Sequence, residues 1–286
     1  MDWNLQKIIE EVRYWVFDLD GTLITDKHNL HEFNLEIPEL SRKYNIDFTI
    51  ITGRPVYMMR HEISQLRPTL PVVGSNGSIL VKDQKVVWAK NLDDQLVKNF
   101  VSDLRQLKMN FYAYSPSAIY VEPYHFFQVD RWRKSLLKIP PEFRWKIKGY
   151  AEFEQIWDER ITKFLVCTSE SNKLRELIAK KYSKQLFFAP TKPNSIDVGD
   201  VNVNKGTGLT QIMKMLGNAT PNQFLVFGDG GNDLPIFKIA KYSVAVDNAP
   251  DFVKKQATFV APADNNNGGV VRFIKNLWTY HTIEKK

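Results

Sequence analysis

The chain has 286 residues, 43% hydrophobic and 25% charged, which suits a globular core with a second module and excludes a disordered chain. Its 39 basic and 32 acidic residues leave a net charge of +7. The lysines are scattered, so an anionic small ligand is welcome, but the basic helix with interleaved aromatics of a nucleic-acid binder is missing.

Cys167 stands alone, which rules out an intrachain disulfide or a thiolate metal site and fits a reducing compartment. No apolar run approaches the roughly 20 residues of a membrane span. Asp2, Glu10 and Glu11 break any signal-peptide pattern at the start. The expectation is a cytoplasmic protein with no membrane partner and no nucleic-acid partner; the oligomeric state is not legible.

In chain order, Leu5, Ile8, Ile9 and Val12 recur at helical spacing. Tyr14-Trp15-Val16-Phe17 is a short continuous apolar run that ends near a glycine, the pattern of a strand buried on both faces of a parallel sheet. Residues 33–44 read as helix, with Pro38 at its start or at a kink. Phe48 to Ile51 reads as a second buried strand, residues 56–66 as helix after Pro55, and Pro71 to Gly74 as a third strand.

Residues 78–81 and 85–88 flank Lys82-Asp83-Gln84 as a hairpin would, and a helix is expected over 93–107. Residues 109–160 are rich in Tyr, Phe and Trp and suggest antiparallel strands with a helix among them. Strand, helix and strand follow at 161–168, 173–181 and 185–189. Beyond Pro193 the earlier style returns: helix over 205–216, buried strand Phe224 to Phe227, helix over 232–240, strand over 243–246, and a last helix near 270–278. βα units on either side of an antiparallel middle predict an α/β fold. The expected architecture is a doubly wound parallel-sheet core from residues 1–91 and 189–286, interrupted by an inserted α/β module over 92–188.

The residues able to do chemistry sit where these strands end. Asp18 and Asp20 leave the first strand two positions apart, so both can face one site, and Gly21 permits a tight turn. Thr52, in Thr52-Gly53-Arg54, leaves the second strand. Asp229 leaves a third, in Gly228-Asp229-Gly230-Gly231-Asn232-Asp233. Ligands of open α/β sheets bind beyond the carboxyl ends of strands. Carboxylates gathered there call for a cation, and oxygen-only ligands suit Mg2+ shared with a phosphate. Lys205 opens a helix, where free N–H groups and an ammonium both favour an anion. Singly, each feature has an ordinary reading as a surface turn, a strand-to-helix turn or a solvated lysine. The ordered set is far more specific.

The run Asp18-Leu19-Asp20-Gly21-Thr22, then Thr52, Lys205 and Gly228 to Asp233, resembles the four-motif signature of the haloacid dehalogenase-like phosphatases. Asp18 and Thr52 are 34 positions apart (18 to 52), whereas Thr52 and Lys205 are 153 apart (52 to 205), which resembles the subgroup with an α/β cap between the second and third motifs. Thr52-Gly53-Arg54, Asn76-Gly77 and Val244 to Ala249 are similar to the Cof-type, sucrose-phosphatase-like branch. The resemblance implies a Rossmann-like core, a Mg2+ cofactor and hydrolysis of a small phosphorylated metabolite, with a sugar phosphate first.

It implies Asp18 as nucleophile and Asp20 as general acid and base, with Thr52 and Lys205 on the phosphoryl oxygens. Asp18, the backbone carbonyl of Asp20, and Asp229 would be the metal ligands, and Asp233 their support. Gly53, Arg54, Asn76 and Asn232 would lie at the substrate. Tyr112, Tyr114, Tyr120, Trp132 and Arg133 are candidates to line the cleft from the cap, although cap core is the commoner place for aromatics. The family's acidic loop is replaced by Ala263 to Gly269, rich in asparagine, so its contact with the site is left open. A phosphomutase of the same superfamily is the alternative activity. A non-catalytic nucleic-acid-binding protein is the alternative from another class.

Overall fold

The computed structural model describes residues 5–121, 133, 134, 136–149 and 160–284. They form two compact units. The first comprises the chain up to Gly53, Glu62–Lys85, and the chain from Asn204 onward; the second comprises Arg54–His61 and Val86–Val203.

The first unit is built on a five-stranded parallel sheet in the order Phe259–Val260, Tyr242–Ala245, Phe224–Gly228, Tyr14–Phe17, Asp47–Ile50. Trp15, Val16 and Phe17 are fully buried, as are Phe224 to Phe227, because helices flank the sheet and leave no polar face to the inner strands. From strand Tyr14–Phe17 the chain first moves outward to Asp47–Ile50; later it returns to Phe224–Gly228 on the other side. That reversal makes a topological switch point, where a crevice opens beyond the strand ends. Phe17 is in register with Phe227, so the residues that follow, Asp18 and Gly228, start level with each other.

Val72–Gly74 is a strand, as expected. It joins the parallel sheet only through a bridge between Val73 and Ile51, and pairs antiparallel with Ile79–Lys82. Strands occupy both arms of the expected hairpin, Ile79–Lys82 and Lys85–Ala89. The expected helix over 56–66 is a 3-10 turn, Val56–Met59, followed by an α-helix, Arg60–Leu66.

The second unit holds a six-stranded, largely antiparallel sheet in the order Leu186–Lys192, Ser195–Asp200, Lys163–Cys167, Asn110–Tyr114, Ala118–Val121, Lys146–Gly149. Alternation splits its side chains between two faces. One face packs Phe111, Tyr120, Phe164, Val166 and Val198 with helix residues Phe100 and Leu104. The other gathers Tyr112, Tyr114, Ile119 and Val121 with Tyr57. Tyr120 therefore belongs to the helix-covered core, while Tyr112 and Tyr114 share the opposite face. Trp132 lies outside the described residues, and Arg133 is exposed.

Strand Ser195–Asp200 was not anticipated. Its alternating Ile196 and Val198 enter the core, while Asp197 sits in a buried ion pair with Lys163 at 2.6 Å. The expected boundary at 189 thus falls inside strand Leu186–Lys192, and the chain re-enters the first unit only at Asn204.

Candidate active site

Asp18 is the first residue beyond strand Tyr14–Phe17, and its N–H extends the parallel ladder to the carbonyl of Phe227 at 3.0 Å. The chain then turns sharply: the N–H groups of Leu23 and Ile24 both reach the Leu19 carbonyl at 2.9 Å. This brings Thr22 back over the strand end, where its hydroxyl lies 3.3 Å from both Asp18 Oδ2 and Asp229 Oδ1. Gly21 sits at the crest with φ +76°. A Cβ there would lie 2.3 Å from Asp229 Oδ2, so only glycine lets the two loops meet so closely. Asp18 is 4% exposed, whereas Asp20 is exposed at the rim.

Asp233 builds the facing loop. Its Oδ2 accepts from the N–H groups of Asp229 at 3.0 Å and Gly230 at 2.9 Å, and its Oδ1 accepts from Lys205 Nζ at 2.5 Å. The same ammonium donates to Asp18 Oδ1. Lys205 opens helix Lys205–Met215 behind Asn204, which forms a reciprocal cap with Thr207. The helix start thus fixes where the lysine points. Its side chain is wholly buried between two carboxylates.

Burial pushes the Asp18 carboxyl well above its ordinary value, against the pull of Lys205 and with the push of Asp233 and Asp229. Burial disfavours the Lys205 ammonium, but Asp18 and Asp233 more than offset this and hold it charged. Asp229 is pushed up to about 6, by burial first and by Asp233 next. Three carboxylates lie close together and one ammonium contacts two of them, so the cluster is short of positive charge.

A second group of expected residues lies alongside. Thr52 is fully buried; its N–H donates to Val73 O and its carbonyl accepts from Asn76 N–H, both at 3.0 Å. Ser75, Asn76 and Gly77 have φ of 52°, 55° and 102°, three left-handed residues in succession. Strain of this kind costs about 1–3 kcal/mol per non-glycine residue and is found at sites that need it. The turn aims Asn76 Oδ1 at Asn232 Nδ2, 3.3 Å away, and sets it against Gly53. Gly77 abuts the start of the lysine helix: a Cβ on it would lie 2.0 Å from the Asn204 carbonyl. Gly77→Ala is expected to destabilise the fold by more than about 2 kcal/mol, measured by urea unfolding. An unchanged unfolding midpoint would show that this turn does not press on the helix.

The structure therefore gathers Asp18, Lys205, Asp229 and Asp233 at one point, with Thr52, Gly53, Asn76 and Asn232 on adjoining loops. Arg54 begins the segment that belongs to the second unit. Lys205, expected on phosphoryl oxygens, places its ammonium between Asp18 and Asp233.

Carboxylate oxygens of Asp18, Asp229 and Asp233 lie within 4.8 Å of one another. This hard-oxygen, charge-deficient donor set fits a divalent cation such as Mg2+. The carboxyl trio contains Asp233, read from the sequence as support, and not the exposed Asp20 carboxyl. Asp233 carries the most donors of the three, the Lys205 ammonium and two backbone N–H groups, whereas Asp18 meets Lys205 and Thr22, and Asp229 meets Thr22 and Asn248.

Sequence reasoning passed over Thr22 and Asn248. Thr22 was visible only as the end of the Asp-x-Asp-Gly-Thr run. Asn248 follows strand Tyr242–Ala245, a further strand end at the same edge, and its amide donates to Gly21 O at 2.8 Å.

A family model described as haloacid dehalogenase-like hydrolase matches residues 15–274. MG265 of Mycoplasma genitalium, which carries a provisional phosphatase name, is 27% identical over 278 residues, covering 93% of this chain and 99% of its own. A 5-amino-6-(5-phospho-D-ribitylamino)uracil phosphatase of Bacillus subtilis is 24% identical over 278 residues, covering 91% and 96%. Among solved structures, the subclass IIB sugar phosphatase BT4131 superposes with a TM-score of 0.77 at 19% identity, covering 93% of this chain and 99% of that one.

Proposed function

Because this chain belongs to the haloacid dehalogenase-like hydrolases, we propose that it is a Mg2+-dependent phosphatase of small phosphomonoesters. A phosphorylated sugar or polyol is the first class to try. The observation that carries this reading is the buried Asp18 carboxylate at the sheet's switch point, held between Lys205 and Thr22 and facing Asp229.

Asp18 attacks phosphorus, and its new P–O bond forms as the bond to the substrate oxygen breaks. Asp20, exposed at the rim and so able to exchange protons with solvent, protonates the departing alkoxide. As a carboxylate it then takes a proton from water, which attacks the aspartyl phosphate, frees inorganic phosphate and restores Asp18. Lys205 favours the ionised form of Asp18 against the effect of burial and offers charge to the phosphoryl oxygens beside it. Thr52, Gly53, Asn76 and Asn232 supply polar contacts around the same group. Asp18, Asp229 and the backbone carbonyl of Asp20 would hold Mg2+, which supplies charge that screens the incoming phosphate from the carboxylates.

Two of the relatives act, by name, on a phosphorylated ribityl compound and on sugar phosphates, which supports starting with polyhydroxy phosphates. No helix among the described residues is long and apolar enough to cross a membrane. We place the activity in the cytoplasm, where such metabolites are made.

Phosphate release from a panel of phosphorylated sugars and polyols, assayed with chelator and then with Mg2+, tests the reading. Turnover is expected to fall to background in chelator and return with Mg2+. Metal-independent turnover would overturn the cofactor assignment. Isomerised hexose phosphate without free phosphate would make the chain a mutase.

A further inference from the structure

We propose that Asn248 is a positioning residue: its amide sets Asp229 and the Gly21 turn for a divalent cation, and the Asn265-Asn266 loop holds that amide in place. The inference rests on the metal-dependent reading above and adds a determinant of metal affinity that no catalytic motif contains.

Asn248 Oδ1 accepts from the backbone N–H of Asn265 at 3.1 Å. A backbone N–H can only donate, so the orientation of this amide is decided by its neighbour. Its Nδ2 must then face the other way, where the Gly21 carbonyl at 2.8 Å and Asp229 Oδ2 at 3.4 Å both require a donor. Asp229 Oδ1 meets the Thr22 hydroxyl. Both oxygens of Asp229 are thus oriented by neutral donors, which fix the carboxylate without cancelling the charge a cation would use. Asp18 and Asp233 differ, since each contacts the Lys205 ammonium.

The asparagine loop completes the device. Asn265 is 2% exposed, and its Nδ2 donates to Ile24 O at 2.9 Å and to Asp26 Oδ1 at 3.2 Å. Asn266 exchanges two bonds with Asp26: Nδ2 to Asp26 Oδ2 at 3.0 Å, and Asp26 N–H to Asn266 Oδ1 at 2.9 Å. The loop that carries Asp18 and Asp20 is therefore gripped at Gly21 through Asn248 and at Ile24 and Asp26 directly. An amide is suited to this place because it donates and accepts at once. A carboxylate at 248 would face Gly21 O and Asp229 with no donor.

The test is Mg2+ titration by calorimetry on the full chain, alongside the Mg2+ dependence of p-nitrophenyl phosphate hydrolysis. Asn248→Ala and the shape-preserving Asn248→Leu are expected to weaken Mg2+ binding about tenfold, the usual cost of removing a group that orients a metal ligand. Turnover at saturating Mg2+ should fall less than about threefold, because Asp18 and Asp20 are untouched. Asn265→Ala retains the backbone N–H to Asn248 and should weaken binding less.

Mg2+ affinity within twofold of wild type in both Asn248 variants would overturn the proposal. So would a drop in saturated turnover with unchanged affinity. Wild-type protein that binds no Mg2+, or Asp229→Asn that binds it equally well, would instead bring down the metal-dependent reading, and this inference with it.

Discussion

Asp18→Asn is expected to abolish phosphate release, by a factor on the order of 10^4 or more, while leaving the fold intact. The amide has the shape of the carboxylate but no negative charge, and its oxygen is too weak a nucleophile to attack phosphorus, so the covalent step has no entry. The fold should survive for an electrostatic reason. Asp18 is 4% exposed and shares one buried ammonium with Asp233, with Asp229 close by. Removing one of three crowded negative charges relieves repulsion, and the Asn carbonyl can still accept from Lys205. Steady-state turnover and urea unfolding, measured on the same preparation, separate these effects. Turnover near the wild-type rate would refute the covalent mechanism. Lost turnover together with a collapsed unfolding midpoint would mean that Asp18 is structural first.

Lys205→Met is expected to be the opposite case, losing both activity and stability. Its side chain is wholly buried, and its removal leaves Asp18 and Asp233 facing each other without the ammonium between them. Breaking a buried pair in this way costs about 3–5 kcal/mol, because a desolvated charge loses its compensation. Asp233 also holds the N–H groups of Asp229 and Gly230, so the Asp229 loop should loosen and Mg2+ affinity should fall with it. The double variant Asp18→Asn, Lys205→Met discriminates further. With one of the two stranded carboxylates neutralised, it should recover about 1–2 kcal/mol relative to Lys205→Met alone. Strict additivity of the two changes would show that the Lys205–Asp18 contact carries no coupling energy.

The two expectations separate chemistry from support within one cluster. Asp18 lies at a strand end that forms from its own apolar run, so its substitution leaves the architecture standing. Lys205 is held by a helix start and clamps two distant loops, so its substitution is felt in both.

Much of the site was legible because its determinants are local. An apolar tetrapeptide followed by Asp-x-Asp-Gly predicts a buried strand that delivers Asp18 to a sheet edge, and the structure puts it there. Thr52 and Asp229 follow by the same logic, since parallel strands present their ends on one side. The helix at Lys205 was likewise readable from its neighbours.

Other features depended on which strands became neighbours. Lys205 meets Asp18 across 187 positions of sequence, and Asn265 meets Ile24 across 241. No local pattern encodes such pairings. They follow from the placement of Phe224–Gly228 beside Tyr14–Phe17 and of Tyr242–Ala245 beyond it. Strand Ser195–Asp200 was missed for a related reason. Its Asp197 reads as a surface residue until Lys163 appears opposite it.

By itself the sequence determined the strand ends, the carboxylates they carry and the family, because short apolar runs and glycine turns act within a few residues. Only the tertiary structure decided that Lys205 bridges two acids, that Asn248 orients a third, and that the second sheet runs on to Asp200. Those outcomes rest on burial and on contacts between distant segments, and both exist only once the sheet order is set.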